Sequence, residues 1–246
     1  MRISLELVPR DEAALLRDAV LLREKFPSVG QLNVPDLLRF PLRSWEACAI
    51  THAHFPVSIP HIRAIDMPPD GPLKDIESII EKGIDQVLVV SGDPPQEMGR
   101  RVYPTTAVNL IRRLKREWPR LRIYAAYDPY RQGLQAESDY AASKLDAGAD
   151  GFFTQPFFDI RLLAIHAEIL ADQTVFWGVT PVTTDKSRSY WAATNHAVFP
   201  REFAPSLEWN QKFARRVLEF SRDSGGHVYL MPIRVDLERY LTGVLG

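Results

Sequence analysis

Cysteine is nearly absent from this chain. Cys48 is the only one in 246 residues, which excludes an internal disulfide and any iron–sulfur or multi-cysteine zinc centre. Neither sign of charge is in excess, because 30 Lys and Arg stand against 31 Asp and Glu, and a net charge of −1 creates no global field to recruit nucleic acid or an anionic membrane. No apolar run approaches the roughly 18 consecutive residues of a membrane span. The amino terminus, MRISLELVPR, has no apolar stretch followed by a small-residue cleavage site, so the expected compartment is the cytoplasm. The short motifs of several enzyme classes are missing too: no G-x-G-x-x-G follows the first apolar run, and there is no G-x-x-x-x-G-K-[ST], G-x-S-x-G or H-E-x-x-H. Those absences disfavour a Rossmann cofactor domain, a P-loop, a serine hydrolase and a zinc protease. Cys48, His52, His54 and His61 lie close in sequence, yet their spacing fits no common zinc motif, so no metal site is expected.

What is present describes one globular domain spanning residues 1–246, with 46% hydrophobic and 25% charged residues. Nineteen prolines imply many fixed turns. Apolar runs rich in β-branched and aromatic residues predict strands over 3–8, 31–34, 57–65, 86–90, 122–126, 151–154, 175–179 and 227–231. Segments of helical period separate them. Leu15, Ala19, Leu22 and Phe26 share a face, as do Leu73, Ile76, Ile79 and Ile80, then Val108, Ile111, Leu114 and Trp118. Opposite the last set, Arg112, Arg113, Lys115 and Arg116 read as a solvated helix face. Tyr140, Lys144 and Leu145 mark a further helix, Leu162, Ile165 and Ile169 another, and Trp209, Phe213, Val217 and Phe220 a long late one. Strand–helix alternation repeated eight times in about 250 residues predicts an α/β fold, a (β/α)8 TIM barrel, with an open doubly wound sheet as the alternative. Position decides between them. Glu6, Asp93, Tyr127 and Gln155 sit in or just past the carboxyl ends of predicted strands, where a barrel builds its site.

Glu6 interrupts an apolar strand. Turned inward, it would be a desolvated carboxyl with a raised pKa, suited to general-acid work; turned outward, it would pair with a helix cation, and alternation leaves both open. The fourth strand ends in V-V-S-G-D-P-P, where Gly92 permits a tight turn and two prolines stiffen the loop that carries Asp93. An aspartate there either faces a ligand or bonds its own turn. In G-A-D-G-F-F-T-Q-P-F-F-D, Gln155 offers a donor and an acceptor to the amide-like edge of a heterocycle; Phe157 and Phe158 supply stacking or packing surface, and Asp159 is placed to cap a following helix.

Together these segments resemble the methylenetetrahydrofolate reductase family, barrel enzymes that make 5-methyltetrahydrofolate. The resemblance rests on I-S-L-E-L-V-P, I-P-H-I-R-A-I-D, V-L-V-V-S-G-D-P-P, I-Y-A-A-Y, G-A-D-G-F-F-T-Q-P-F-F-D and W-G-V-T-P-V, in family order over nearly the whole chain. It implies that Glu6 is the acid that opens the imidazolidine ring of methylenetetrahydrofolate, that Asp93 holds the pterin and assists catalysis, and that Gln155, with Phe157 beside it, contacts the substrate. It implies that His61, Ser91, Tyr127 and Arg234 line the cofactor, and that the partners are a reduced folate and NADH or NADPH rather than nucleic acid or membrane.

The departures from the family pattern cluster at the flavin-anchoring segments. Where the family has T-x-G-A, R-G-D and A-A-Y-P-E-x-H, this chain has L-N-V-P-D-L-L-R-F-P, Ser91 and A-A-Y-D-P-Y-R-Q-G. Loss of charge-assisted contacts worth roughly 1.5–3 kcal/mol each weakens FAD by orders of magnitude, so the resemblance points to hydride passing directly from the nicotinamide. Three alternatives follow: an FAD-dependent reductase with rebuilt contacts, a catalytically silent folate-binding subunit, and methyl transfer to a corrinoid partner. Arg39, Arg43, Arg131 and Arg188 are cations available to phosphates or a glutamate tail. The long segment 183–207, with Tyr190, Trp191, Asn195, His196 and Phe199, reads as a binding loop or lid containing its own short helix.

Overall fold

The computed structural model describes residues 1–94 and 101–246. Eight parallel strands close into a barrel in sequence order: β1 (Ile3–Glu6), β2 (Gln31–Val34), β3 (Ser58–Arg63), β4 (Gln86–Val90), β5 (Arg122–Tyr127), β6 (Gly151–Pro156), β7 (Val175–Val179) and β8 (His227–Leu230). The seam is the β1–β8 ladder, which pairs Ile3 with Val228 and Leu5 with Leu230. The connections carry helices α1 (Glu12–Lys25), α2 (Ser44–Thr51), α3 (Lys74–Glu81), α4 (Ala107–Glu117), α5 (Leu134–Asp146), α6 (Ile160–Ile169), α7 (Asp185–Thr194), α8 (Leu207–Asp223) and α9 (Leu237–Leu245). The (β/α)8 reading therefore holds. None of the described helices is long and apolar enough to cross a membrane.

Alternation along each strand divides the core in two. Odd positions of β3 and even positions of β4, β5 and β7 fill the barrel, where Ile59, Leu88, Tyr124, Phe153, Phe176, Tyr229 and Met231 pack together. The other parity faces the helices: Leu5, Leu32, Ile62, Val87, Ile123, Phe152, Trp177 and Val228 belong to the outer core with Leu15, Leu22, Ile76, Ile111, Leu114 and Val217. Several helix starts follow their sequence signals. Asp11 accepts from the Ala14 amide, Thr106 from Asn109, Ser206 from Trp209, and Asp159 caps α6 by accepting from Arg161.

Three readings change. In α6 the buried residues are Leu163 and His166, while Ile165 and Ile169 are 46% and 40% exposed; the apolar face predicted from 162, 165 and 169 is rotated by one position. His166 turns inward because its Nδ1 meets the buried Tyr127 hydroxyl at 2.6 Å. Two helices were not predicted. α2 is made of SWEACAIT, whose small and apolar residues bury Trp45, Ala47 and Cys48 without a clear period, and α9 closes the barrel wall with Tyr240, Leu241 and Val244. Within 183–207 the expected short helix is α7. Phe158, Phe199, Phe203, Trp191 and Trp209 pack beside it into an aromatic cluster at the rim.

β6 is irregular between Phe153 and Pro156, where its pairing with β7 shifts register. The irregularity is tied down by Thr154, whose hydroxyl donates to the Gln155 carbonyl at 2.8 Å and accepts from the Gly178 amide at 2.8 Å. Only a glycine fits opposite it. A Cβ on Gly178 would lie 2.4 Å from the Thr154 carbonyl oxygen and 2.9 Å from that of Gln155.

Candidate functional site

The carboxyl ends of the strands surround a cavity of about 410 Å³, in the range of small-molecule sites. Glu6, His61, Ser91, Asp93 and Gln155 all line it. They arrive from four strands: Glu6, His61 and Gln155 from inward-facing positions in the carboxyl-terminal halves of β1, β3 and β6, and Ser91 and Asp93 together from the loop that leaves β4.

Glu6 is the inward residue that ends β1, with Leu5 and Leu7 buried on the helix side. Burial raises its pKa from 4.5 to about 7, against the opposing effect of one hydrogen bond, which Tyr229 on β8 donates to Oε2. Tyr229 is itself buried, and both desolvation and the neighbouring carboxyl keep its own proton in place. The result is a carboxyl that exchanges its proton near neutral pH at the cavity wall. His61 is buried on β3, and desolvation lowers its pKa to about 3, so the ring is neutral. Its Nε2 has no hydrogen-bond partner among the described residues, leaving an unused polar atom on a residue that lines the mouth.

Asp93 and Gln155 are exposed in the lining, as is Arg131. Gly92 adopts φ +85°, the left-handed conformation the turn requires, and Pro94 follows Asp93; Pro95 lies outside the described residues. Gln155 sits at the β6 irregularity, which turns this position toward the mouth.

The other sequence-predicted positions lie elsewhere. Tyr127 is the last residue of β5 and has the outward parity: it is fully buried in the outer core, edge-on to Phe152 and bonded to His166. Phe157 also faces the helices, against Trp177, His166 and Tyr130, with its amide bonded to the Gly178 carbonyl. Arg234 is exposed in the turn before α9 at φ 57°, outside the lining. Tyr127 and Phe157 are thus packing residues in this chain, and Arg234 does not reach the cavity. Tyr127→Phe tests that placement. It is expected to lower stability by about 1–3 kcal/mol, because His166 Nδ1 loses a buried partner, while steady-state activity stays within twofold. A large activity loss in assays at matched folded fraction would return Tyr127 to the site.

Two charged groups stand at the cavity wall, and the sequence pattern, which marks Arg43 and Lys144, anticipates neither their pairing nor the part of Asp36, Arg63, Asp66 and Glu137. On one side, Arg43 bonds Asp36 at 2.5 Å and Asp66 at 3.5 Å, and Arg63 Nε bonds Asp66 at 3.0 Å. On the other, Lys144 of α5 is buried and donates to the Ala126 carbonyl at 2.7 Å, with Glu137, also buried, 4.0 Å away. Burial lowers the Lys144 pKa to about 8, countered by Glu137. Glu137 and Lys144 occupy helix positions where an apolar face is expected, and charge at those positions was the available signal. Of the other cations, Arg39 lies over Phe40 and Arg188 over Phe199 and Phe203, whereas Arg131 lines the mouth above Tyr140.

Comparison with known proteins places this geometry in context. A family model described as methylenetetrahydrofolate reductase matches residues 43–216. The 5,10-methylenetetrahydrofolate reductase of Pectobacterium carotovorum subsp. carotovorum is 27% identical over 146 residues, 57% of this chain and 49% of the relative. That of Escherichia coli (strain K12) is 26% identical over 156 residues, 61% of this chain and 52% of the relative. In these alignments the chain spans about half the length of the curated relatives it matches. Among solved structures, an uncharacterized protein from Clostridium thermocellum that binds two copies of 5-methyl-5,6,7,8-tetrahydrofolic acid superposes with a TM-score of 0.66 at 12% identity, covering 99% of this chain and 93% of that one. An oxaloacetate acetylhydrolase superposes at 0.60 with 12% identity over 95% of this chain and 75% of that one. At these identities the superpositions speak for the barrel alone.

Proposed function

Because the chain belongs to the methylenetetrahydrofolate reductase family, we propose that its mouth reduces 5,10-methylenetetrahydrofolate to 5-methyltetrahydrofolate, with the hydride coming directly from NADH or NADPH. The observation that carries this reading is Glu6, a carboxyl whose proton is exchangeable near pH 7 and which stands beside Asp93 and Gln155 in the lining of one cavity.

The chemistry follows from what each group can do. Protonated Glu6 transfers its proton to a ring nitrogen of the imidazolidine as the carbon–nitrogen bond breaks, and the lone pair of the other nitrogen forms the iminium. The Asp93 carboxylate favours that cationic state, and the Gln155 amide pairs with the donor–acceptor edge of the pterin. Hydride addition to the iminium carbon completes the methyl group. Glu6 then regains a proton from water, so one hydride and one proton are consumed per methyl formed. Tyr229 keeps the Glu6 carboxyl aimed at the cavity, and neutral His61 leaves an uncharged polar atom for a heterocycle to engage.

Support for transfer without flavin comes from the charge layout of the wall. A dinucleotide resident in the mouth needs cations for its pyrophosphate. Arg43 and Arg63 are committed to Asp36 and Asp66, and Lys144 to Ala126 and Glu137, so two carboxylates stand beside the arginines and a third beside the lysine. These residues do not fit a tightly held FAD. Arg131 remains as a lining cation, which suits a nicotinamide co-substrate that binds and leaves.

Anaerobic single-turnover mixing of the purified protein with reduced nicotinamide and methylenetetrahydrofolate tests the reading. Nicotinamide absorbance is expected to fall in step with 5-methyl product and with no flavin spectrum. Turnover only after FAD is added would reject direct transfer, and no turnover under either condition would leave a folate-binding subunit as the better description.

A further inference from the structure

We propose that Arg63 is the positioning residue for Asp93: its guanidinium fixes the turn after β4 by gripping the Asp93 main-chain carbonyl, and so sets the carboxylate at the mouth without neutralising it. The inference rests on the proposed folate reading for what Asp93 does, but the grip itself is a property of this chain's own residues.

Arg63 ends β3 in the inward parity shared by Ile59 and His61, and its side chain is only 10% exposed. Nη2 donates to the Asp93 carbonyl oxygen at 2.5 Å, while Nε donates to Asp66 Oδ2 at 3.0 Å. The guanidinium is held at both ends, and Arg43, bonded to the same Asp66 oxygen and to Asp36, braces the arrangement from α2. Such a planar fork has few ways to rotate once two of its edges are engaged.

Gly92 shows how close the fit is. A Cβ there would lie 3.1 Å from Arg63 Cβ and 3.3 Å from Arg63 Cζ, so the turn backbone rests directly on the arginine. The resemblance to the family leads one to expect an arginine at position 91, within the turn; here position 91 is serine, and a guanidinium reaches the turn from the neighbouring strand.

The choice of acceptor is the functional point. Had Arg63 paired with the Asp93 carboxylate, the ion pair would screen the negative charge that a cationic ring must meet. Bonding the carbonyl restrains the same residue and leaves its carboxylate among the cavity-lining groups, where no described side chain forms an ion pair with it.

Three variants, Arg63→Gln, Arg63→Lys and Asp93→Asn, separate this role from bulk packing. With 5-methyltetrahydrofolate as the probe, Arg63→Gln and Asp93→Asn are each expected to weaken binding roughly 10-fold or more. The double variant is expected to bind no more weakly than Asp93→Asn alone, because one residue acts through the other. Arg63→Lys is expected not to rescue, since a single ammonium replaces the fork. Hydrogen exchange at the Ile65 amide, which donates to the Ser91 carbonyl at 3.1 Å and so ties the same turn to the end of β3, is expected to quicken in Arg63→Gln and stay unchanged in Asp93→Asn. Additive losses in the double variant, full affinity in Arg63→Gln, or rescue by lysine would overturn the proposal. If the wild-type protein bound no reduced folate, the proposed function would fall; the exchange measurement would then decide the grip by itself, faster exchange in Arg63→Gln upholding it and unchanged exchange rejecting it.

Discussion

Glu6→Gln is expected to lower turnover by about 10²–10⁴-fold and, at the same time, to stabilise the fold above neutral pH. The activity loss follows from the loss of the proton donor: the amide is nearly isosteric and keeps a carbonyl oxygen to accept from Tyr229, but it has no proton to give. The stability gain follows from the direction of the pKa change. The folded state holds the Glu6 carboxyl at about 7 against 4.5 for an unburied one, so between those values the native protein binds more protons than the unfolded chain. Native stability from this group is therefore complete below about pH 4.5, declines as pH rises toward 7 and is lost above it. At pH 8 the wild type carries a desolvated carboxylate, and the glutamine variant does not. A difference of up to about 3 kcal/mol is implied by that pKa displacement. Urea denaturation of both proteins at pH 5 and pH 8 reads it directly: the midpoints should diverge as pH rises, with the variant above the wild type. Equal midpoints at pH 8 together with retained turnover would mean that Glu6 is solvated and is not the acid.

Strand parity explains most of what could and could not be read from the sequence. Eight apolar runs in βα alternation sufficed for the barrel, and strand ends located the mouth, which is why Glu6, His61, Ser91, Asp93 and Gln155 converge as expected. Whether a given residue faces the barrel or the helices depends on the exact register, and one residue of error reverses it. The predicted fifth strand stopped at Ala126; the observed one continues through Tyr127, which fixes Tyr127 on the face opposite Ala126 and sends its hydroxyl to His166. Phe157 fails for a related reason. Its amide continues the β6–β7 ladder beyond the end of β6, so its ring is held among the helices rather than in a free loop. The Asp36–Arg43–Asp66 network was hidden because its members come from three separate segments that no local period joins, whereas Glu137 and Lys144 lie seven apart on α5, within reach of a helical reading.

Gly178→Ala carries the other large expected effect, and it joins fold to site. The added methyl would lie 2.4 Å from the Thr154 carbonyl oxygen, 2.8 Å from Met231 Cε and 2.9 Å from the Gln155 carbonyl oxygen. The Met231 thioether can swing aside, but the two oxygens are main chain of β6 and can move only if the strand moves. Overpacking of this kind destabilises by about 1–3 kcal/mol, at the upper end here because backbone must yield, or a fall of roughly 5–10 °C in Tm for a domain of this size. The displacement has a direction. Thr154 anchors the irregularity by accepting from the Gly178 amide across the strands while donating to the Gln155 carbonyl within β6, so pushing β6 away from β7 releases the cross-strand bond and shifts Gln155 in the lining. Folate affinity is therefore expected to fall in the variant even at temperatures where it is fully folded, with Glu6 and its Tyr229 bond intact across the barrel. A variant that loses Tm but keeps full affinity would show that the β6–β7 junction supports the barrel without setting Gln155.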